Sequence, residues 1–189
     1  ETQQLGWVQT YPNFNGGIHT TTVNSGANDS TFVFGNHLLS SVHGTAYNDL
    51  TGNGIKDVGD PSLQGWTVKL SGTQSDSILT DANGNYSFYY LTTGLYSVTE
   101  VVQSGWTTTE PVSGTYSINV FKDGLILANK NFGNFKFGSI SGNVFNDFNS
   151  NGMKDSGDVT LTGWRIRLSG PKNDSLFTDA NGTFVFNNL

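Results

Sequence analysis

The sequence predicts an all-β protein built from tandem β-sandwich repeats of about 98 residues, with no significant helix. Three observations predict it. The chain matches itself when shifted by 98 residues, apolar residues alternate with a period of two, and turn-forming residues separate the alternating stretches.

The repeat comes first because it frames everything else. HGTAYNDLTGNGIKDVGD, starting at His43, lies over SGNVFNDFNSNGMKDSGD, starting at Ser141. LQGWTVKLSG lies over LTGWRIRLSG, and TDANGNYSF over TDANGTFVF. From Gly44 to Leu91 no gap is needed, and about half the positions are identical. The same offset places Phe34-Gly35-Asn36 under Phe132-Gly133-Asn134. A shift of 99 lays ETQQLGWVQTYP from Glu1 over EVVQSGWTTTEP from Glu100. We therefore expect residues 1–38 to be the back part of one repeat, 39–137 a whole repeat and 138–189 the front part of a third. The whole repeat is long enough to bury a core of its own.

Within that repeat the elements follow in order. Ser41–Asn48 reads as a first strand. Trp66, Val68 and Leu70 then alternate with polar neighbours, as do Tyr86, Phe88 and Tyr90. Tyr96 with Val98, and Tyr116 with Ile118 and Val120, continue the pattern expected of half-buried strands. DANG at Asp81–Gly84 and KDG at Lys122–Gly124 carry hairpin chemistry. Seven or eight short strands in about 98 residues suit a β-sandwich.

Composition narrows the functional classes. There is no cysteine, 24 residues are glycine, and only 13% are charged. Asn, Thr, Ser and Gly fill the polar positions, as turn-rich sheets require. A net charge of −6 argues against nucleic acid, whose phosphates need a basic face. No apolar run is long enough to insert in a membrane, and Glu1 begins no signal peptide. The composition fits an extracellular protein that is stiffened by something other than disulfides.

The loop after the first strand carries the chemistry. DLTGNGIKDVGD from Asp49 and DFNSNGMKDSGD from Asp147 both fit the twelve-residue calcium-loop pattern. Side-chain oxygens fall at positions 1, 3, 5, 9 and 12, with glycine at 6. In the first loop these are Asp49, Thr51, Asn53, Asp57 and Asp60, and in the second Asp147, Asn149, Asn151, Asp155 and Asp158. Ile55 and Met153 would add backbone carbonyls at position 7. Calcium is a hard cation that takes six to eight oxygens, so short acids and amides on a kinked loop suit it. Asp stands at position 12 in both loops, where the longer Glu usually supplies both oxygens, which points to an affinity in the roughly 10⁻⁵–10⁻³ M range. An Asx-rich turn that binds nothing is the alternative. The turn residues Asp76, Asp81, Asp174 and Asp179 are weaker candidates for further ions.

Together the motifs G-x-x-x-(Y/F)-N-D, NG-x-K-D-x-G-D, L-x-G-W, TDANG-x-(Y/F)-x-F and FGN resemble the SdrD B-like repeat. That family is a prealbumin-like β-sandwich module related to CnaB domains, found in tandem in bacterial surface proteins. The resemblance covers Gly44–Asn134 in full and implies Ig-like sandwich modules, stiffened by calcium, that form a stalk at the cell surface. Related CnaB modules carry a Lys–Asn isopeptide bond with a catalytic acid. Glu100 sits where the resemblance would put such an acid and Asn134 falls on a late strand, but Ser41–Asn48 holds no lysine. No crosslink is therefore expected.

Nothing in the sequence points to an enzyme. His19, His37 and His43 match no nucleophile arrangement, and the repeat-equivalent pairs Trp7/Trp106 and Trp66/Trp164 read as packing residues. The expected function is a calcium-stiffened stalk or fibre module whose partners are neighbouring repeats. Other copies are further expected partners, because residues 138–189 of one copy could join residues 1–38 of another head to tail. A glycan- or host-protein-binding adhesin module and an accessory domain of a secreted enzyme are the alternatives.

Overall fold

The computed structural model describes residues 1–189 and divides them into two compact units, 1–135 and 136–189. Apart from one three-residue 3-10 turn at Asn15–Gly17, every regular element is a strand. In the first unit these are β1 (Trp7–Tyr11), β2 (Gly35–Leu38), β3 (Ser40–Asn48), β4 (Thr67–Gly72), β5 (Asp76–Leu79) and β6 (Asn85–Leu91). They continue with β7 (Gly94–Glu100), β8 (Trp106–Glu110), β9 (Thr115–Val120), β10 (Ile126–Leu127) and β11 (Phe132–Lys136).

Strands β3 to β11 form a two-sheet sandwich. The first sheet is centred on β3, which pairs antiparallel with β6 along one edge. Along its other edge β3 pairs in parallel, first with β10 and then with β11, and β8 lies beyond β11. The second sheet has the order β5-β4-β7-β9, all antiparallel.

The core lies where the alternation predicts. Val42, Ala46, Tyr86, Phe88, Leu91 and Phe132 enter it from the first sheet. Trp66, Val68, Leu70, Tyr96, Val98, Ile118 and Val120 meet them from the second, with Trp106 packed against the cluster. Burial of this many large apolar side chains is the dominant stabilising term of the unit. Gly44 is part of the same design. A Cβ there would sit 2.0 Å from the Lys130 carbonyl oxygen and 2.7 Å from the Tyr86 ring. Its repeat-equivalent Gly142 is likewise covered by the Phe184 ring, 2.7 Å from such a Cβ.

Three expectations need correction. DANG and KDG are turns, but neither closes a hairpin. The first carries the chain from β5 in one sheet to β6 in the other, and the second from β9 to β10, again across the sandwich. Tyr90 does not continue the inward face of Tyr86 and Phe88. It has φ 63° and is exposed, so the strand kinks before Leu91 turns back into the core. His43 does meet hydroxyls: its Nδ1 lies 2.8 Å from Ser87 Oγ and its Nε2 2.7 Å from Ser41 Oγ.

Also in the first unit, β1 and β2 form a separate antiparallel pair. His19 there lies among the Tyr11, Phe14, Phe32 and Phe34 rings, with centroids 4.9–5.9 Å away. The second unit contains β12 (Ile140–Asn143), β13 (Phe145–Asn146), β14 (Val159–Thr160), β15 (Arg165–Leu168), β16 (Asp174–Phe177) and β17 (Thr183–Phe186). These pair as β12-β17, β13-β14 and β15-β16, antiparallel in every case.

Candidate metal-binding loops

The first candidate loop leaves the end of β3 and returns beside it. Asn48 N–H donates to the Pro61 carbonyl at 2.8 Å, and Leu63 N–H to the Ala46 carbonyl at 3.0 Å, so the neck is closed. Asp49 anchors the loop. Its N–H donates to the Asn134 carbonyl at 2.8 Å, and its side chain is fully buried. Asp49 Oδ1 accepts from the N–H groups of Gly52 (2.7 Å) and Asn53 (3.2 Å) and from Thr51 Oγ1 (3.3 Å). Oδ2 accepts from Gly54 N–H at 2.7 Å. Burial raises the pKa of this carboxyl, but the nearby Thr109 hydroxyl and the N–H groups of Gly54, Asn53 and Gly52 outweigh it and hold it below the ordinary aspartate value. Thr109 Oγ1 itself is buried with no hydrogen bond of good geometry.

The rest of the loop is built on the same carboxylate-to-backbone bonding. Asp60 Oδ1 accepts from Leu50 N–H at 3.2 Å and its Oδ2 from Asp57 N–H at 2.9 Å. Asn53 Oδ1 accepts from Ile55 N–H at 2.7 Å, while its amide nitrogen donates to Asp57 Oδ2 at 2.8 Å. Gly54 has φ 76°, the left-handed conformation that makes glycine the residue of choice at position 6.

The second loop repeats these bonds. Asp147 accepts from Asn151 N–H (3.1 Å) and Gly152 N–H (2.8 Å). Asp158 accepts from Phe148 N–H (3.0 Å) and Asp155 N–H (2.9 Å). Asn151 accepts from Met153 N–H at 2.8 Å and donates to Asp155 Oδ2 at 2.6 Å. Asn149, where the first loop has Thr51, adds a 3.1 Å bond to Asp155 Oδ2. These two amides hold the Asp155 carboxyl below its ordinary pKa. Gly152 has φ 77°.

Both loops therefore gather their oxygen-bearing side chains within one short turn, and every donor atom in the set is an oxygen. That chemistry suits a hard divalent cation. Nowhere do three acidic or histidine side chains converge on one point, however. Asp57 faces the Asn53 amide nitrogen and Asp155 those of Asn149 and Asn151, so binding an ion would require these amides to turn their oxygens inward. The turn aspartates behave differently. Asp81 and Asp179 each accept two backbone N–H bonds within their own turns, and Asp76 and Asp174 each accept one from the next residue.

Sequence reasoning missed the backing of the first loop. A Cβ on Gly54 would come within 3.1 Å of the Thr109 carbonyl on β8, whereas nothing lies within 4 Å of one on Gly152. Glu100 and Asn134 are hydrogen-bonded: Asn134 Nδ2 donates to Glu100 Oε2 at 2.7 Å.

Residues 40–123 match the SdrD B-like domain. The chain is 27% identical over 185 residues to serine-aspartate repeat-containing protein F of Staphylococcus epidermidis, covering 89% of this chain and 10% of that protein. It is 27% identical over 186 residues to serine-aspartate repeat-containing protein D of Staphylococcus aureus strain Newman, covering 89% and 13%. Against serine-aspartate repeat-containing protein C of S. aureus strain N315 the identity is 28% over 208 residues, covering 100% and 20%. The chain thus spans a tenth to a fifth of the length of these relatives. Among solved structures, a streptococcal ancillary pilin aligns with a TM-score of 0.43 at 14% identity, covering 79% of this chain and 50% of that one.

Proposed function

We propose, from the match of residues 40–123 to the SdrD B-like domain, that the chain is a calcium-stiffened stalk segment of an extracellular surface protein. One observation carries the calcium reading: two loops with different intervening residues make the same carboxylate-to-backbone bonds. Each would hold an ion with its three aspartates, the side-chain oxygens at positions 3 and 5, and the carbonyl of Ile55 or Met153. The ion would neutralise clustered carboxylates and tie the neck of the loop to its tip, which stiffens the end of the sandwich. A structural role fits the tandem repeat.

Isothermal titration calorimetry with calcium tests this reading. We expect two sites of roughly 10⁻⁵–10⁻³ M, one lost in Asp49→Asn and the other in Asp147→Asn. No heat of binding at millimolar calcium would contradict it.

A second feature favours assembly between repeats. Trp66 and Trp106 pack edge to face at 5.2 Å in the whole repeat. Their counterparts, Trp164 and Trp7, are 55% and 39% exposed. The two segments carry the two halves of one contact, so we read 138–189 of one copy as fitting 1–38 of the next head to tail. Sedimentation velocity at increasing protein concentration with calcium should then show growing species that Trp7→Ala removes. A monomer throughout would contradict the assembly and leave the calcium reading standing.

A further inference from the structure

Glu100 ends β7 in one sheet, and Asn134 lies on β11 in the other. Their 2.7 Å hydrogen bond therefore crosses the sandwich. The remaining oxygen of each group, Glu100 Oε1 and Asn134 Oδ1, is closed off from solvent and has no hydrogen-bond partner. With Glu100 ionised, both are acceptors, and two unmet acceptors in one buried place are unfavourable. A single proton removes the difficulty. A carboxylic acid and a primary amide already joined by one N–H···O bond close into a ring when the acid O–H donates back to the amide oxygen.

We propose that Glu100 and Asn134 form a proton-closed clasp between the two sheets, shut when Glu100 is a neutral acid and half-open when it is a carboxylate. The clasp is also tied to the tip of β3, because the Asn134 carbonyl accepts Asp49 N–H. It thus grips the three strands at the end of the module from which the chain continues beyond Lys136.

The surroundings support a neutral acid. Tyr86 on β6 faces Glu100 closely enough for the two charges to interact. Tyr116 on β9 lies next to Tyr86, and Glu110 on β8 accepts from Tyr47 on β3 at 2.8 Å. All three tyrosines are held above their ordinary pKa, first by burial, and so stay neutral across the range that matters. Lys56 lies over the Tyr47 ring at 5.7 Å and Lys130 over the Tyr116 ring at 5.5 Å. Burial pushes the Glu100 carboxyl up from 4.5 to about 7, against the lowering pull of the Asn134 bond.

The sign follows from that direction. A folded-state value above the unfolded one means that the folded module binds the proton more tightly. The clasp's contribution is complete below pH 4.5, declines from there to about pH 7, and is lost above it. The module should therefore tighten as its surroundings turn mildly acidic.

Thermal melts of the 189-residue chain from pH 5 to pH 8, with and without Glu100→Gln, test the clasp. The glutamine amide cannot ionise, yet it accepts from Asn134 Nδ2 and donates to Asn134 Oδ1, imitating the protonated acid. We expect Tm of the native chain to fall relative to the variant as pH rises, with the variant the more stable at pH 8. A difference that is constant with pH, or a variant less stable at pH 8, would overturn the proposal. Should the variant fail to fold, carboxyl-carbon NMR on glutamate-labelled native protein decides. The chain has three glutamates, Glu1, Glu100 and Glu110. One carboxyl carbon titrating near neutrality supports the clasp, and none titrating above about pH 6 refutes it.

Discussion

Asp49 shows how much a single carboxylate can organise. It is fully buried, and at least three backbone N–H groups carry its charge. Because its pKa is lowered in the fold, its stabilising effect is present above the ordinary aspartate value and is lost as pH falls through the lowered one. Below about pH 4 we therefore expect Tm to drop, and Asp49→Asn should flatten that acid limb in a melt series. Gly54 gives a second residue-scale prediction. With φ 76° and the Thr109 carbonyl 3.1 Å from the position of a Cβ, Gly54→Ala should lower stability by about 1–2 kcal/mol in urea unfolding. Gly152→Ala meets the same φ but open space, so its effect should be the smaller. The sequence carried the identity of both glycines and of the loop oxygens, since these depend on spacing within twelve residues. Thr109 and Asn134 were not legible as the backing of Asp49, because only the fold brings β8 and β11 against the loop.

At the scale of elements, β3 is the strand on which the sandwich depends. It pairs with β6 on one side and with β10 and β11 on the other, and it delivers Asp49 to the loop. Gly44 lets β3 approach the segment before β11, and a methyl group there would overlap the Lys130 carbonyl. Gly44→Ala should therefore cost more than Gly54→Ala, read as a lower urea midpoint. In the core, Phe88→Ala should lower stability by about 3–5 kcal/mol, since Phe88 is almost wholly buried. Alternation located β4, β6, β7 and β9 from the sequence because each has one face in the core. Sheet membership was not visible in the same way. DANG and KDG announce a change of direction, but turn chemistry is the same whether the next strand stays in the sheet or crosses the core. Tyr90 was misread for a related reason: its apolar ring keeps the period of two, while its positive φ sends it outward.

At the scale of the molecule, repeat-equivalent residues differ in burial. Trp66 is buried and its equivalent Trp164 is not, although both occupy the same L-x-G-W motif. Sequence alone shows the equivalence, whereas the difference in burial appears only in the packing. The central claim is that calcium stiffens these modules through the two loops. A ligand that binds only the folded state raises stability by RT ln(1 + [L]/Kd), about 2.7 kcal/mol at a hundredfold excess. For a domain of this size each kcal/mol moves Tm by about 4–8 °C. The direct test is a thermal melt of the chain in 5 mM calcium and again in EGTA, repeated with Asp57→Ala and Asp155→Ala together. The account predicts a rise of at least several degrees in calcium that the paired substitution abolishes; superimposable melts with and without calcium would contradict it.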